Sequence, residues 1–287
     1  MTIGSNKIMK IVDGFDSLPI AECRESFDKL ESELFKLPQL KDEDYSLKES
    51  YSGGLYARQI TIKAGALITG RIYRFDHIEI MLEGDIVILS ADGTKNRYTG
   101  FNTIEAKSGK RQAGLALKDT TWTTLCRVPE DIPMSEMLDY TSVLTYEEYN
   151  QFYRDVNNAD YKRFLFESKI TQDQIDKMVK VDDVSIMGDE YSHIYTKNSK
   201  LDGVGLFSKK DINKGDIICP SRIGNKRTIA GRYSNHALYA NSYPSISGDE
   251  FCMIAKTNIM ADEEITSNYR EVLDFRFLKG DLLCQVG

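Results

Sequence analysis

Apolar positions along the chain change their period several times, and each change marks a candidate element. Between Glu22 and Lys36 they fall at Cys23, Phe27, Leu30 and Leu34, the spacing of one face of a helix, so this segment is expected to be a single amphipathic helix. From Tyr56 to Arg127 the pattern shortens to the runs YARQITI, ALITGRIY, HIEIML, DIVILS and TWTTLCRV. Gly53-Gly54, Gly65, Gly84, Asp92-Gly93 and Gly109 punctuate them, which predicts an antiparallel barrel or sandwich. After Pro129 the helical period returns, with Thr145-x-x-Glu148 and Thr171-x-x-Gln174 placed as capping boxes. Tyr146, Tyr149, Phe152, Tyr153, Phe164 and Phe166 are expected to pack rather than to form a recognition surface. Beyond Tyr191 short strands and turns resume.

This reading divides the chain into a helical N-terminal segment (1–47), a β domain (48–128), a helical connector (129–190) and a second β-rich domain (191–287). The 287 residues suffice for two cores, and 41% hydrophobic with 28% charged residues suits a folded, water-soluble chain. The start MTIGSNKIMKIVDG lacks the apolar stretch of a secretory signal and no run is long enough to span a bilayer, so a cytoplasmic location without membrane contact is expected. The 37 basic against 44 acidic residues, net charge -7, disfavour a nucleic-acid surface and favour protein partners. Cys23, Cys126, Cys219, Cys252 and Cys284 form no Cys-x-x-Cys pair and are expected to be free thiols.

Three clusters in the last hundred residues carry candidate chemistry. Asp202-Gly203-Val204-Gly205-Leu206-Phe207 contains a Gly-x-Gly that lets a ligand approach the backbone, although such a pair is more often a tight turn. Gly231-Arg232-Tyr233-Ser234-Asn235-His236 offers amide, imidazole and backbone groups, while a lone histidine is more often a buried structural residue. Asp262-Glu263-Glu264-Ile265-Thr266-Ser267-Asn268-Tyr269-Arg270 reads by itself as an acidic turn running into a strand.

In this order the three clusters resemble the SET family of protein-lysine methyltransferases, over residues 191–277. The resemblance implies a β fold with a knot-like core, S-adenosylmethionine as cofactor, and a protein substrate with an accessible lysine. It implies that Gly203, Val204, Gly205, Tyr233, Asn235 and His236 bind the cofactor and that Tyr269 is the catalytic tyrosine. The chemistry suits these groups: displacement at a sulfonium methyl needs alignment of a neutral amine, which a phenol and backbone carbonyls can supply in an apolar channel. The chain departs from the family at Ala237 and Ala240, at Ser267 and Asn268 in the final segment, and in the short stretch from Gly224 to Tyr233. Loss of an aromatic at Ser267 implies a lysine channel that is wider or poorly shaped, and the short stretch implies that the groove-wall insert is nearly absent.

The earlier β segment resembles a cupin-type barrel, and more narrowly barrels encoded by tailed bacteriophages. The resemblance rests on Leu55-Tyr56-Ala57-Arg58, Thr69-Gly70-Arg71-Ile72-Tyr73, His77 with Gly84, Lys110-Arg111 and Asp119-Thr120-Thr121-Trp122-Thr123-Thr124. Tyr73 and Cys126 stand where related barrels carry histidine, leaving His77, Glu79 and Glu83, so no metal is expected there. The resemblances together imply a phage-encoded lysine methyltransferase acting in the host cytoplasm or on the virion, on a host or virion protein. The competing expectation is a non-catalytic phage structural or interaction protein that uses both modules as binding scaffolds.

Overall fold

The runs HIEIML and DIVILS, separate by pattern, form one strand of 14 residues in the computed structural model, which describes residues 20–36, 39–41, 44–181, 184–224, 226–247 and 250–278. The join is Gly84, whose φ of 123° lies where a side chain is disfavoured, and the pairing register shifts on both sides of it. The chain divides into two compact units, residues 1–149 and 150–287.

The first unit opens with α1 (Ile20–Leu34), which agrees with the expected helix to within two residues at each end. Phe27 and Leu30 are fully buried against Leu89, Ala91 and Ala113, as the helical spacing requires. Arg111 joins them by pairing with Asp28 and Glu31. Next come β1 (Tyr45–Ser52), β2 (Leu55–Ile62), β3 (Leu67–Thr69), β4 (Ile72–Tyr73), β5 (His77–Ser90), β6 (Lys95–Thr99), β7 (Asn102–Ala106) and β8 (Gln112–Arg127). Seven of these make one sheet in the order β1-β2-β8-β5-β6, with β3 on β8 and β7 on β5, and every pairing is antiparallel. Each long strand serves two neighbours: β5 pairs β7 through His77–Met81 and β6 through Asp85–Leu89. Residues of all seven strands pack into one cluster around Met81, Ile86 and Trp122, so the sheet folds over on itself. The run ALITGRIY is broken at Gly70, and its second half, β4, pairs instead with β9 (Ser142–Val143), after α2 (Met134–Thr141).

Helix α3 (Tyr146–Ser168) runs across the division between the units and is followed by α4 (Gln172–Lys180). Both expected capping boxes form: Thr145 Oγ1 accepts from the Glu148 N–H while Glu148 accepts from the Thr145 N–H, and Thr171 and Gln174 do the same. Among the aromatic residues expected to pack, Phe164 is buried, but Phe166 is 86% exposed. These two side chains sit two positions apart and so face different ways around the helix.

The second unit contains β10 (Ile194–Asn198), β11 (Val204–Ser208), β12 (Ile217–Ile223), β13 (Lys226–Arg227), α5 (Ile229–Tyr233), β14 (Asn235–His236), β15 (Ser242–Ser247), β16 (Glu250–Ala255), β17 (Glu264–Ser267) and α6 (Tyr269–Leu278). Its sheet runs β10-β11-β17-β15-β16-β12-β13. Two of its pairings are parallel, β14 with β17 and β15 with β17, among otherwise antiparallel neighbours. Leu206, Ile218, Ile259 and Ile265 are fully buried in its core. The chain is thus mainly β with helical segments. Cys126, Cys219 and Cys252 are buried free thiols. Cys284, the Cys23 side chain and the MTIGSNKIMKIVDG segment lie outside the described residues.

Candidate functional site

The parallel pairing of Asn235 with Thr266 and of His236 with Ser267 sets the second sequence cluster beside the third. The first cluster joins them through Asn235, whose Nδ2 donates to the Asp202 carbonyl at 2.9 Å, to the Val204 carbonyl at 3.4 Å and to Glu264 Oε1 at 2.9 Å. Segments far apart in the chain therefore meet at one amide. Glu264 also accepts from the Ser199 hydroxyl, which lies 2.8 Å from Oε1 and 2.9 Å from Oε2.

Tyr269 opens α6, and its hydroxyl donates to the Ser234 carbonyl at 3.1 Å. Its ring is enclosed by His236, Phe164 and Tyr161, with centroids 5.1, 5.9 and 6.1 Å away. Burial pushes this phenol well above the usual tyrosine range, with smaller contributions from Tyr161 and Asp202, so at neutral pH it is a hydrogen-bond donor. Asn268 accepts the Arg270 N–H at 3.0 Å, which caps the start of α6 and gives this amide a structural role. Ser267 is buried, and its hydroxyl contacts those of Ser234 at 2.8 Å and Ser242 at 3.2 Å. Ala237 and Ala240 are buried beside this segment.

The imidazole of His236 is bound at both nitrogens: Nε2 lies 2.9 Å from Asp160 Oδ2, and Nδ1 accepts the Tyr269 N–H at 3.1 Å. Asp160 also accepts from Arg270 Nη1 at 2.7 Å. Sequence reasoning did not single out Asp160. Its signal was the face it shares on α3 with Asn157 and Phe164, three residues before it and four after it. Asn157 Oδ1 accepts the Leu238 N–H at 2.9 Å on the same strip.

The two glycines of the first cluster differ in what surrounds them. Gly203, at φ 48°, has no heavy atom within 4 Å of where a Cβ would stand, and Val204 is 40% exposed. At Gly205 the corresponding space is taken by the chain's own Glu264 carboxylate, with Cδ 2.8 Å from a Cβ built there. A cationic ligand that carries an amino acid, as S-adenosylmethionine does, would meet backbone groups and the charge of Asp202 at the open rim of Gly203 and Val204. The side chains of Asn235 and His236 are engaged within the protein, so what they present to such a ligand is main chain. Tyr233 ends α5, one residue before the carbonyl that receives the Tyr269 hydroxyl.

In the first unit His77 and Glu79 are buried and share a face of β5, whereas Glu83 is exposed. His77 Nδ1 donates to the Phe75 carbonyl at 3.0 Å, and its Nε2 lies 3.6 Å from Glu79 Oε1. Glu79 is also 3.5 Å from Lys110 Nζ. Tyr73 lies against the His77 ring, centroids 4.3 Å apart, and its phenol is pushed up to about 12, chiefly by burial. Burial first, and Glu79 second, raise the Cys126 thiol to about 12 as well. Neither is therefore a ready anionic ligand at neutral pH. Among the described residues no group of three or more His, Cys, Asp or Glu side chains could hold a metal ion.

No family model and no curated protein matches the chain. Among solved structures it is similar to KdgF from Halomonas sp., with 19% identity over 36% of this chain and 94% of that one, at a TM-score of 0.29. It is similar to ectoine synthase from P. lautus, with 16% identity over 36% of this chain and 76% of that one, TM-score 0.29. A cupin superfamily protein from Desulfitobacterium hafniense shares 14% identity over 33% of this chain and 88% of that one, TM-score 0.27. Each of these similarities covers about a third of this chain.

Proposed function

We propose that the second unit is a SET-like domain that transfers a methyl group from S-adenosylmethionine to a lysine of a protein substrate. One observation carries this reading: parallel pairing sets residues 234–236 beside 264–269, and the Asn235 amide ties residues 202–205 to them, with the Tyr269 phenol alongside. Gly203, Val204, the backbone of Gly205, Tyr233, Asn235 and His236 would hold the cofactor. When bound, the cofactor supplies an electrophilic methyl group on a sulfonium. The chain's part is alignment: the Tyr269 hydroxyl and the Ser234 carbonyl form a fixed polar pair that orients the incoming amine, and the aromatic wall of Tyr161 and Phe164 keeps water away. The first unit would recruit the substrate or an assembly partner, on the virion or in the host cytoplasm if the phage-type resemblance holds.

A second reading, a non-catalytic binding scaffold, draws support from Ser267, which stands where an aromatic channel wall is expected, and from the internal engagement of Gly205 and Asn235. Titration calorimetry separates the two. Saturable heat with S-adenosylmethionine, with a matching rise in melting temperature, is the expected result; no heat at millimolar cofactor rejects the enzyme.

A further inference from the structure

Helix α3 lays Asn157, Asp160, Tyr161 and Phe164 over the segments that carry His236, Leu238 and Tyr269. We propose that Asp160 is a positioning residue for Tyr269, acting through the imidazole of His236. A carboxylate oxygen only accepts, so the 2.9 Å bond between His236 Nε2 and Asp160 Oδ2 is donated by the ring. The proton on Nε2 leaves a lone pair on Nδ1, and that lone pair receives the Tyr269 N–H at 3.1 Å. A ring protonated on Nδ1 would instead turn one N–H toward another. Asp160 thus selects the tautomer that fixes the first amide of α6. That amide sets the direction of the Tyr269 side chain, whose hydroxyl rests on the Ser234 carbonyl at 3.1 Å. Both partners are shielded, with the Asp160 side chain 10% and the His236 side chain 4% exposed, so water does not compete for the bond. Arg270 donates to the same carboxylate oxygen at 2.7 Å and pairs with Glu167 at 2.8 Å.

The test has two arms, so that this inference and the proposed methyl transfer can fail separately. The chain has three histidines, few enough that nitrogen NMR of the full protein labelled with 15N-histidine assigns each ring by comparison with His77→Asn and His193→Asn variants. The wild type is expected to show His236 with its proton on Nε2, and to show slow hydrogen exchange at the Tyr269 amide. Asp160→Ala should mix the tautomers and speed that exchange by tenfold or more, on the scale of one lost hydrogen bond. Asp160→Asn keeps an oxygen that accepts from Nε2–H and should restore the wild-type pattern. A proton on Nδ1 in the wild type, or an Asn variant that behaves like the Ala variant, overturns the proposal; the wild-type spectrum decides even if Asp160→Ala does not fold. The second arm rests on the methyltransferase reading: Asp160→Ala should slow turnover by about 100-fold while Asp160→Asn stays within a few fold of wild type, since misplacing a reacting group by an ångström costs that much. A wild type without turnover but with the expected tautomer removes the activity and leaves the positioning role in place.

Discussion

The carboxylate of Glu264 fills the side of Gly205 that lacks a side chain, with its Cδ 2.8 Å from where a Cβ would stand. From there Glu264 accepts from Ser199 at 2.8 Å and from Asn235 at 2.9 Å, so the second glycine of the Gly-x-Gly makes room for an internal acceptor. Gly205→Ala should displace this carboxylate and lower unfolding free energy by about 1–3 kcal/mol, the cost of leaving its partners unsatisfied. Adding Glu264→Ala restores the space, so the double variant should lose less than the sum of the two single changes. Additive losses in denaturant titrations would show that the two residues are not coupled.

Gly84 presents the other close approach. A Cβ there would stand 2.6 Å from the Thr120 Cα, which is backbone and cannot swing aside, and its φ of 123° is strained for any side chain. Gly84→Ala should destabilise the first unit by roughly 1–3 kcal/mol from the backbone conformation alone, with the contact adding to it. Gly100→Ala, also at positive φ but with open space around it, should cost less. Equal melting temperatures for the two variants would argue against the contact.

Removal of the Tyr269 hydroxyl takes away its bond to the Ser234 carbonyl and leaves the ring in its aromatic surroundings. A group that aligns the reacting atoms but adds little ground-state affinity lowers turnover more than binding. Tyr269→Phe should therefore slow methyl transfer by roughly 100-fold or more, the scale of losing one preorganised donor. Its S-adenosylmethionine affinity should stay within a few fold. Unchanged turnover on a lysine substrate, found by screening lysates with labelled cofactor, would take Tyr269 out of the mechanism.

The His236 ring gives the fold a pH dependence whose sign follows from its surroundings. Burial lowers its pKa first, Asp160 raises it and Arg270 lowers it, with a net downward shift; Tyr161 and Tyr269, the other titratable groups against the ring, are neutral phenols near pH 6. The unfolded chain binds the proton near pH 6.5, about the ordinary histidine value, whereas the folded chain binds it only at lower pH. Stability from this group is thus complete above about pH 6.5 and is lost as pH falls toward the folded value. His193 is shifted the same way, mainly by burial, so the slope has two contributors. Melting temperature should fall between pH 7.5 and pH 5.5, and fall less in His236→Gln; an equal slope in the variant would assign the effect to other groups.

The features legible in the sequence are those written in neighbouring residues. Thr145 with Glu148 and Thr171 with Gln174 form their capping boxes because each bond closes within three residues. Phe27 and Leu30 are buried because helical spacing alone puts them on one face. Tertiary structure decided the rest. Only strand pairing could merge HIEIML and DIVILS across Gly84, since a bulge depends on the partner strand as much as on the bulged one. The parallel pairing of Asn235 with Thr266, and the reach of Asp160 to a histidine 76 residues away, leave no periodic trace. Periodicity records which way a side chain faces on its own element, while the identity of its partner depends on how distant segments close on one another, a choice made by the packing of the whole unit.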